Sequence, residues 1–208
     1  MHGIAHRIGS YIAKEMANSE AEDVISYGVE IVLGVLFQFI VILGTAACLG
    51  VFQAVSAVLF SAVIFRIFSG GGHCTGYYRC LMVSIFTFIP LGYLAYHLAD
   101  LRHNQLIMVI GTLFVVIFTL MWAPAENPKH PIGGKNKRYR LKIICLILIA
   151  VFILMLVGFG AGIIISGIFV GLLWQTFTIT PLGTAWLHRA DRLLIIMATL
   201  LKRKEGAM

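Results

Sequence analysis

Residues 27–48, YGVEIVLGVLFQFIVILGTAAC, form an almost unbroken apolar run, and runs of this kind decide the fold of the chain. A helix needs about 20 apolar residues to cross the hydrocarbon core of a membrane. The run therefore predicts a membrane-spanning helix. Its polar side chains, Glu30 and Gln38, would be costly in contact with lipid, as would Gln53 and Gln175 in later runs. We expect each of them to face the bundle interior or an interface.

Five further apolar runs follow the first one, at residues 51–68, 81–98, 105–123, 141–158 and 161–180. The composition agrees with them, since 60% of the 208 residues are hydrophobic, 12% are charged and the mean hydropathy is +0.94. We expect an all-α, polytopic membrane protein of about six transmembrane helices, without a separate soluble domain. The second run is the least certain, because only Leu49 and Gly50 separate it from the first run and it ends at Arg66. It is either a tilted span or a re-entrant segment.

The two ends of the chain predict helices that lie on the membrane surface. Residues 1–23 lack the apolar core of a signal peptide, and their hydrophobic residues instead fall on one helical stripe. This helix is either a packed lead-in or a docking element for a substrate. Residues 181–208 intersperse basic and apolar side chains, which also indicates an interfacial helix. We expect one membrane domain over 1–208, with the transmembrane bundle at 27–180.

The basic residues are distributed very unevenly along the chain, whose net charge is +7. With six spans and both termini on one side, fifteen Lys and Arg residues lie on that side and only Arg102 lies on the other. Cytoplasmic loops of membrane proteins are enriched in Lys and Arg, so this asymmetry predicts cytoplasmic termini and a cytoplasmic segment 66–80. It also argues against nucleic acid as the partner of the positive charge.

The candidate catalytic residues lie in one segment, Arg66-Ile-Phe-Ser-Gly-Gly-Gly-His-Cys-Thr-Gly-Tyr-Tyr-Arg-Cys80. His73 and Cys80 are the residue types of a general base and a thiolate nucleophile. On one unbroken helix their backbones would lie about 10 Å apart along the axis, which is too far for a hydrogen bond. We therefore expect His73 in a glycine loop that folds back toward Cys80. Cys80 would lie early in the next helix, where the helix dipole and the Arg79 cation favour a thiolate.

This segment resembles the catalytic segment of the AgrB family, the membrane-embedded cysteine endopeptidases that process autoinducing-peptide precursors in Gram-positive quorum sensing. The family pattern is approximately Arg-x3-Gly-Gly-x-His-x6-Cys, and its places are filled by Arg66, Gly70, Gly71, His73 and Cys80. Length, the number of apolar runs and a later Pro-rich basic stretch are similar too, so the resemblance covers most of the chain. The sequence departs from the family at Cys74, where a small or polar residue is more usual. A second thiol there complicates the choice of nucleophile.

The resemblance implies a Cys–His endopeptidase at the cytoplasmic face of the cell membrane. Cys80 would cleave an AgrD-like propeptide through an acyl-thioester, and a Cys or Ser of the propeptide would then close a thiolactone or lactone ring. Backbone N–H groups of Gly70, Gly71 and Gly72 would stabilise the oxyanion. The resemblance also favours a homodimer. We expect no cofactor and no metal, since the cysteine spacing lacks the Cys-x-x-Cys pattern of a zinc site.

Two further side chains have candidate supporting roles. Arg66 would hold the glycine loop or a substrate carboxylate through the planar donors of its guanidinium. Glu30, near the cytoplasmic end of the first span, would orient the His73 imidazole. A Glu30 carboxylate that pairs with a basic residue or reaches the membrane interface is an alternative that the sequence supports at least as well.

The connection between the fourth and fifth runs ends in a cationic cluster, formed by Lys135, Lys137, Arg138, Arg140 and Lys142. Clusters of this kind beside membrane helices bind anionic lipid headgroups. Recognition of an acidic part of the propeptide is the second interpretation, and the two are compatible.

Two other classes of protein would share parts of this sequence. A small transporter or peptide exporter would explain six spans with intramembrane polar groups, but it gives no reason for the pattern between Arg66 and Cys80. A non-catalytic scaffold or redox sensor would explain the thiols of Cys74 and Cys80. Thiol labelling separates these classes, because only an enzyme would show one hyper-reactive cysteine that depends on His73.

Overall fold

The computed structural model describes residues 2–15, 22–71, 77–125 and 133–205. The described residues form eight helices: α1 His2–Glu15, α2 Glu22–Cys48, α3 Phe52–Ser69, α4 Tyr77–Ala99, α5 Asn104–Trp122, α6 Lys135–Phe159, α7 Ile163–Thr178 and α8 Pro181–Glu205. The chain divides into two compact units, residues 1–45 and residues 46–208. The first unit contains α1 and most of α2, and the second contains the remaining helices.

In the first unit, polar contacts join α1 to the start of α2. Ser10 donates a hydrogen bond to Glu22 Oε1 (2.5 Å), and His6 Nδ1 lies 3.9 Å from the same oxygen. Glu22 and Asp23 occupy the first turn of α2, where carboxylates interact favourably with the helix dipole. Helix α1 lies within the predicted N-terminal helix of residues 1–23. Its location at a membrane surface stays a prediction.

Five of the described helices, α2 to α6, are each long and apolar enough to cross a membrane. A sixth crossing is present if α7 and α8 up to Met197 count as one bent pair, with an angle of 86° between the two helices. These features confirm the prediction of an all-α, polytopic membrane protein. The uncertain second run forms a complete helix, α3, whereas the run at 161–180 contains a helix of only 16 residues, α7.

Helix α7 is extensively buried and packs closely against α3. A Cβ atom added at Gly167 would lie 2.5 Å from the Ala57 Cβ, and one added at Gly171 would lie 2.5 Å from the Val58 carbonyl oxygen. Glycines four residues apart lie on one helix face and let two membrane helices approach closely. The G-x-x-x-G spacing of α7 therefore places this helix against α3 in the bundle.

The bend between α7 and α8 has a local cause. Thr180 Oγ1 accepts a hydrogen bond from the Gly183 N–H (3.1 Å), which caps the start of α8. Pro181 is the first residue of α8, a position where its missing N–H costs no hydrogen bond. Helix α8 covers most of the predicted tail at 181–208, and the location of that tail at the membrane surface stays a prediction.

The connections of the second unit lie at its two ends. The site end contains the α3–α4, α5–α6 and α7–α8 connections, and there the Ala125 N–H donates to the Ser69 carbonyl (2.8 Å). The far end contains the α2–α3, α4–α5 and α6–α7 connections, and there Asn104 Nδ2 donates to the Ala161 carbonyl (3.0 Å). The predicted catalytic segment therefore lies at the same end of the bundle as the start of α6 and the α7–α8 bend.

Candidate active site

The structure describes part of the predicted catalytic segment. Residues 66–71 form the end of α3 and the turn that follows it, and Cys80 lies in the first turn of α4. Gly72 and His73 lie outside the described residues. The predicted contact between Cys80 and His73 therefore stays a prediction.

Gly70 ends α3 in a backbone conformation that is essentially restricted to glycine, with φ +73° and ψ −155°. Its N–H donates to the Arg66 carbonyl (2.9 Å), and an added Cβ would collide with the Ala125 carbonyl oxygen. Gly70 therefore has to be glycine for its conformation and also for the close approach of the Ala125 backbone. In this conformation the Gly70 N–H is already bonded at the helix end. The predicted oxyanion role of the N–H groups of Gly70, Gly71 and Gly72 stays a prediction.

Gly71 follows with φ +132°, again a conformation that other residues rarely adopt. An added Cβ would lie 3.4 Å from Gln175 Nε2 and 3.7 Å from both Arg66 Nη1 and Thr178 Oγ1. Gly71 is thus placed beside polar side chains of α3 and α7. Side chains of α3 and α7 thus pack against the glycine turn.

Gln175 of α7 connects these parts, and only 1% of its surface is exposed. Its Nε2 donates to the Gly70 carbonyl (2.9 Å) and to Ser69 Oγ (3.3 Å). Its Oε1 accepts a hydrogen bond from Arg66 Nη1 (3.4 Å). The prediction that Gln175 faces the bundle interior is confirmed. Its partners precede it by 105 to 109 residues, so sequence spacing could not identify them.

Arg66 lies in the last turn of α3 and is half-buried. A cation in the last turn interacts favourably with the helix dipole, because the carbonyl groups there carry partial negative charge. The contact with Gln175 places the guanidinium beside Gly71. This position agrees with the predicted role of Arg66 in holding the glycine loop.

Cys80 is half-buried and carries a thiol in the first turn of α4. The N–H dipoles at the start of a helix stabilise a nearby anion, so this position favours a thiolate. Cys145 is instead fully buried in α6, and Cys48 is exposed at the end of α2. Cys74, the other thiol of the segment, lies outside the described residues. Of the three described cysteines, Cys80 is the one in the first turn of a helix.

Arg79, immediately before Cys80, forms an ion pair with Asp191 of α8. Arg79 Nε donates to Asp191 Oδ1 (2.7 Å), and the Asp191 side chain is 7% exposed, compared with 32% for Arg79. The Asp191 carboxylate offsets part of the Arg79 charge, and the predicted support of the thiolate by the Arg79 cation stays a prediction. Asp191 was not predicted from the sequence. The signal that could have found it is that it is the only acidic residue between Glu126 and Glu205.

The cationic cluster occupies the first turns of α6. Lys135, Lys137, Arg138 and Arg140 are exposed there. Lys142 differs, because its Nζ donates to the Leu120 carbonyl (2.8 Å) in the last turn of α5. Lys142 therefore stabilises the end of a neighbouring helix, and its predicted role in substrate binding stays a prediction. The four exposed residues remain candidates, and an anion bound there would also interact favourably with the start of α6.

Glu30 lies half-buried in α2, within the first unit. Its predicted partner, the His73 imidazole, lies outside the described residues. The predicted role of Glu30 in orienting that imidazole therefore stays a prediction.

Comparison with known proteins agrees with these features. A family model described as accessory gene regulator B matches residues 5–179. The chain is 25% identical over 207 residues to "Putative AgrB-like protein 2" of Clostridium perfringens, covering 92% of this chain and 96% of the relative. It is 29% identical over 171 residues to a "Putative AgrB-like protein" of Listeria innocua and to one of Listeria monocytogenes, covering 81% of each chain. No solved structure matches the chain.

Proposed function

The chain belongs to the AgrB family of the accessory gene regulator system and is a multi-pass membrane protein, and from this premise we propose that it is a cysteine endopeptidase acting on an AgrD-like propeptide. The observation that supports this most directly is the environment of Cys80. A half-buried thiol lies in the first turn of α4, and the segment that leads to it begins at a glycine turn that contacts α7 and the Ala125 backbone. A thiol at a helix start, preceded in the chain by glycines whose N–H groups can approach a substrate closely, suits acyl transfer.

The proposed reaction has two acyl-transfer steps. His73 accepts the proton of the Cys80 thiol, and the sulfur attacks a peptide carbonyl of the propeptide. The C–N bond breaks, the departing amine takes the proton from His73, and the rest of the propeptide remains as a thioester on Cys80. A Cys thiol or Ser hydroxyl of the propeptide then attacks the thioester, and Cys80 leaves with the proton. The products are a released C-terminal peptide and a thiolactone or lactone ring.

The neighbouring groups have supporting roles in this proposal. The N–H groups of Gly71 and Gly72 are the remaining candidates to stabilise the oxyanion, since the Gly70 N–H is bonded to the Arg66 carbonyl. The four exposed cations at the start of α6 would bind an acidic part of the propeptide, anionic lipid headgroups, or both.

The proposed location of the site is the cytoplasmic face of the cell membrane. Fifteen of the sixteen Lys and Arg residues fall on one side when six crossings are counted, and the segment 66–80 lies on that side. The proposal includes a homodimer, and this part rests only on the resemblance to the AgrB family. In this topology the sixth crossing is the run at 161–180, which contains α7, and the basic residues of α8 lie beyond it.

The test is propeptide cleavage by cysteine variants of the full-length protein in membranes. Cys80→Ala lowers the rate of cleavage by more than about 10³-fold, because the nucleophile is lost. Cys74→Ser retains a substantial part of the activity, and Cys48→Ser at the far end is the matched control with full activity. His73→Ala removes cleavage without removing the protein from the membrane. Mass spectrometry of the propeptide fragments measures each rate.

Two outcomes would contradict the proposal. If Cys74→Ser is inactive and Cys80→Ala is active, the nucleophile is Cys74, directly beside its base. If the wild-type protein does not cleave the propeptide while propeptide transport across the vesicle membrane continues, the chain is a transporter without peptidase chemistry.

A further inference from the structure

Gln175 is an uncharged polar side chain in a position where burial is costly. It is 1% exposed and lies near the end of α7, the short buried helix of the bundle. A primary amide taken from water into an apolar environment is unfavourable unless its hydrogen bonds are replaced. Here they are replaced by groups of one short stretch, Arg66 to Gly70, which begins the proposed catalytic segment.

The two ends of the amide bind groups of opposite character. Nε2 donates to the Gly70 carbonyl at 2.9 Å, and Oε1 accepts from Arg66 Nη1 at 3.4 Å. A primary amide supplies both donors and an acceptor, whereas a carboxylate supplies acceptors only. Glu at this position could accept from Arg66, but it would face the Gly70 carbonyl with a second oxygen. The observed contacts therefore fit an amide and do not fit an ionised carboxylate.

These contacts fix the path of the chain at the point where it leaves α3. The Gly70 carbonyl is held by Gln175, and Gly71 packs against the same side chain. In the sequence, His73 follows Gly71 by two residues. The Gly70–Gly71 turn is therefore the last described part of the chain before the proposed base.

We propose that Gln175 is a positioning residue for the proposed reaction, and that its amide sets the glycine turn from which His73 is presented to Cys80. This inference rests on the proposed endopeptidase function. Gln175 itself does not touch the substrate. It acts through Arg66, Gly70 and Gly71. This role accounts for the Arg-x3-Gly-Gly spacing, because Arg66 lies one helical turn before Gly70 and one amide from α7 therefore reaches both residues.

The experiment measures propeptide cleavage and stability for Gln175→Glu, Gln175→Leu and Thr176→Val in the full-length protein. Thr176 is the matched control, because it is the next residue of α7, is also 1% exposed, and its hydroxyl has no hydrogen-bond partner among the described residues. We expect both Gln175 variants to lower kcat by about 10- to 100-fold, the effect of a misplaced catalytic group, with KM changed by less than about 3-fold. Thr176→Val retains the wild-type kcat.

A second measurement reports on the turn without cleavage. In a protein whose other cysteines are replaced by Ser or Ala, N-ethylmaleimide alkylates Cys80 at a rate that depends on His73. We expect Gln175→Glu and Gln175→Leu to slow this alkylation to the level of His73→Ala, whereas Thr176→Val leaves it unchanged. Thermal unfolding in detergent is followed for each variant.

The inference is overturned if both Gln175 variants keep the wild-type kcat and alkylation rate. It is also overturned if kcat falls only in proportion to a loss of folded protein, and does so equally in Thr176→Val. Failure of the proposed function has a different signature, because the wild-type protein then shows no cleavage, or Cys80→Ala retains it, whatever the result at Gln175.

Discussion

Helices α3 and α6 end in the same way at opposite ends of the second unit. Each stops at a glycine with φ +73°, Gly70 or Gly160, whose N–H donates to the carbonyl four residues earlier. The surroundings differ. At the site end the Gly70 backbone lies against Ala125. At the far end the only group of the described residues near an added Cβ of Gly160 is the flexible side chain of Gln105, at 3.6 Å. The same local helix stop is therefore packed at one end and open at the other.

An amide side chain accompanies each of these helix ends. Asn104 Nδ2 at the far end donates to the carbonyls of Ala99 (2.8 Å) and Ala161 (3.0 Å), so it joins backbone to backbone. Gln175 at the site end binds a carbonyl too, but it also binds the charged Arg66. Charged groups near a membrane are costly, and their concentration in a packed region indicates function. The comparison teaches that the far end closes the bundle, while the site end positions chemical groups.

The largest contrast is expected from replacing the two glycines. Gly70→Ala combines a strained backbone, which costs about 1–3 kcal/mol, with a collision against the Ala125 carbonyl. Gly160→Ala has the strain alone. We expect Gly70→Ala to remove propeptide cleavage and Gly160→Ala to retain it with a lower melting temperature. Cleavage assays and thermal unfolding of both variants measure this difference. Equal activity of the two variants would show that the packing around Gly70 is irrelevant to the reaction.

A smaller contrast is expected between two acidic residues. Asp191→Asn removes the charge that pairs with Arg79 in a largely buried site, and hydrogen bonds to charged groups contribute about 1.5–3 kcal/mol. Asp100→Asn is the control, because Asp100 is exposed at the far end. We expect the Tm of Asp191→Asn to fall by roughly 4–10 °C and kcat to fall several-fold, since Arg79 precedes Cys80. The pairing is tested further by the charge-reversed protein Arg79→Asp/Asp191→Arg, which should regain part of the stability. A variant Asp191→Asn that behaves like Asp100→Asn would refute a role for the ion pair.

The smallest effect is expected from the exposed cations at the start of α6. Changing Lys135, Lys137 and Arg138 to Gln should raise KM for the propeptide about 3- to 10-fold with little change in kcat, the pattern of lost uniform binding. Arg102→Gln at the far end should change neither. Kinetics at low and high salt provide the measurement, because salt screens exposed charges and should reduce the difference between wild type and variant. If neutralising the acidic tail of the propeptide leaves KM unchanged in both the wild type and the variant, lipid anchoring remains as the role of these charges.

The helices and their order could be predicted from the sequence because apolar length is a local property. The run at 27–48 lies within α2, and the glycine stop after Arg66 marks the end of α3. Which of the spans is irregular was harder to predict from the sequence. Arg66 made the second run doubtful, but its position in the last turn of α3 and its contact with Gln175 accommodate the charge. The sequence predicted one run over 161–180, but the structure starts a new helix there, α8, with a cap at Thr180, a hydrogen bond that hydropathy does not show.

The sequence by itself determined that the chain is a multi-pass helical membrane protein and which segment contains the candidate thiol and base. It did so because hydropathy, charge asymmetry and motif spacing depend on neighbouring residues alone. Only the tertiary structure decided that Gln175 binds the Gly70 turn and that Asp191 pairs with Arg79. Those contacts join residues more than 100 positions apart, and they exist because α7 and α8 pack against α3 and α4 at one end of the bundle. No local pattern in the chain determines which polar side chains that packing brings together.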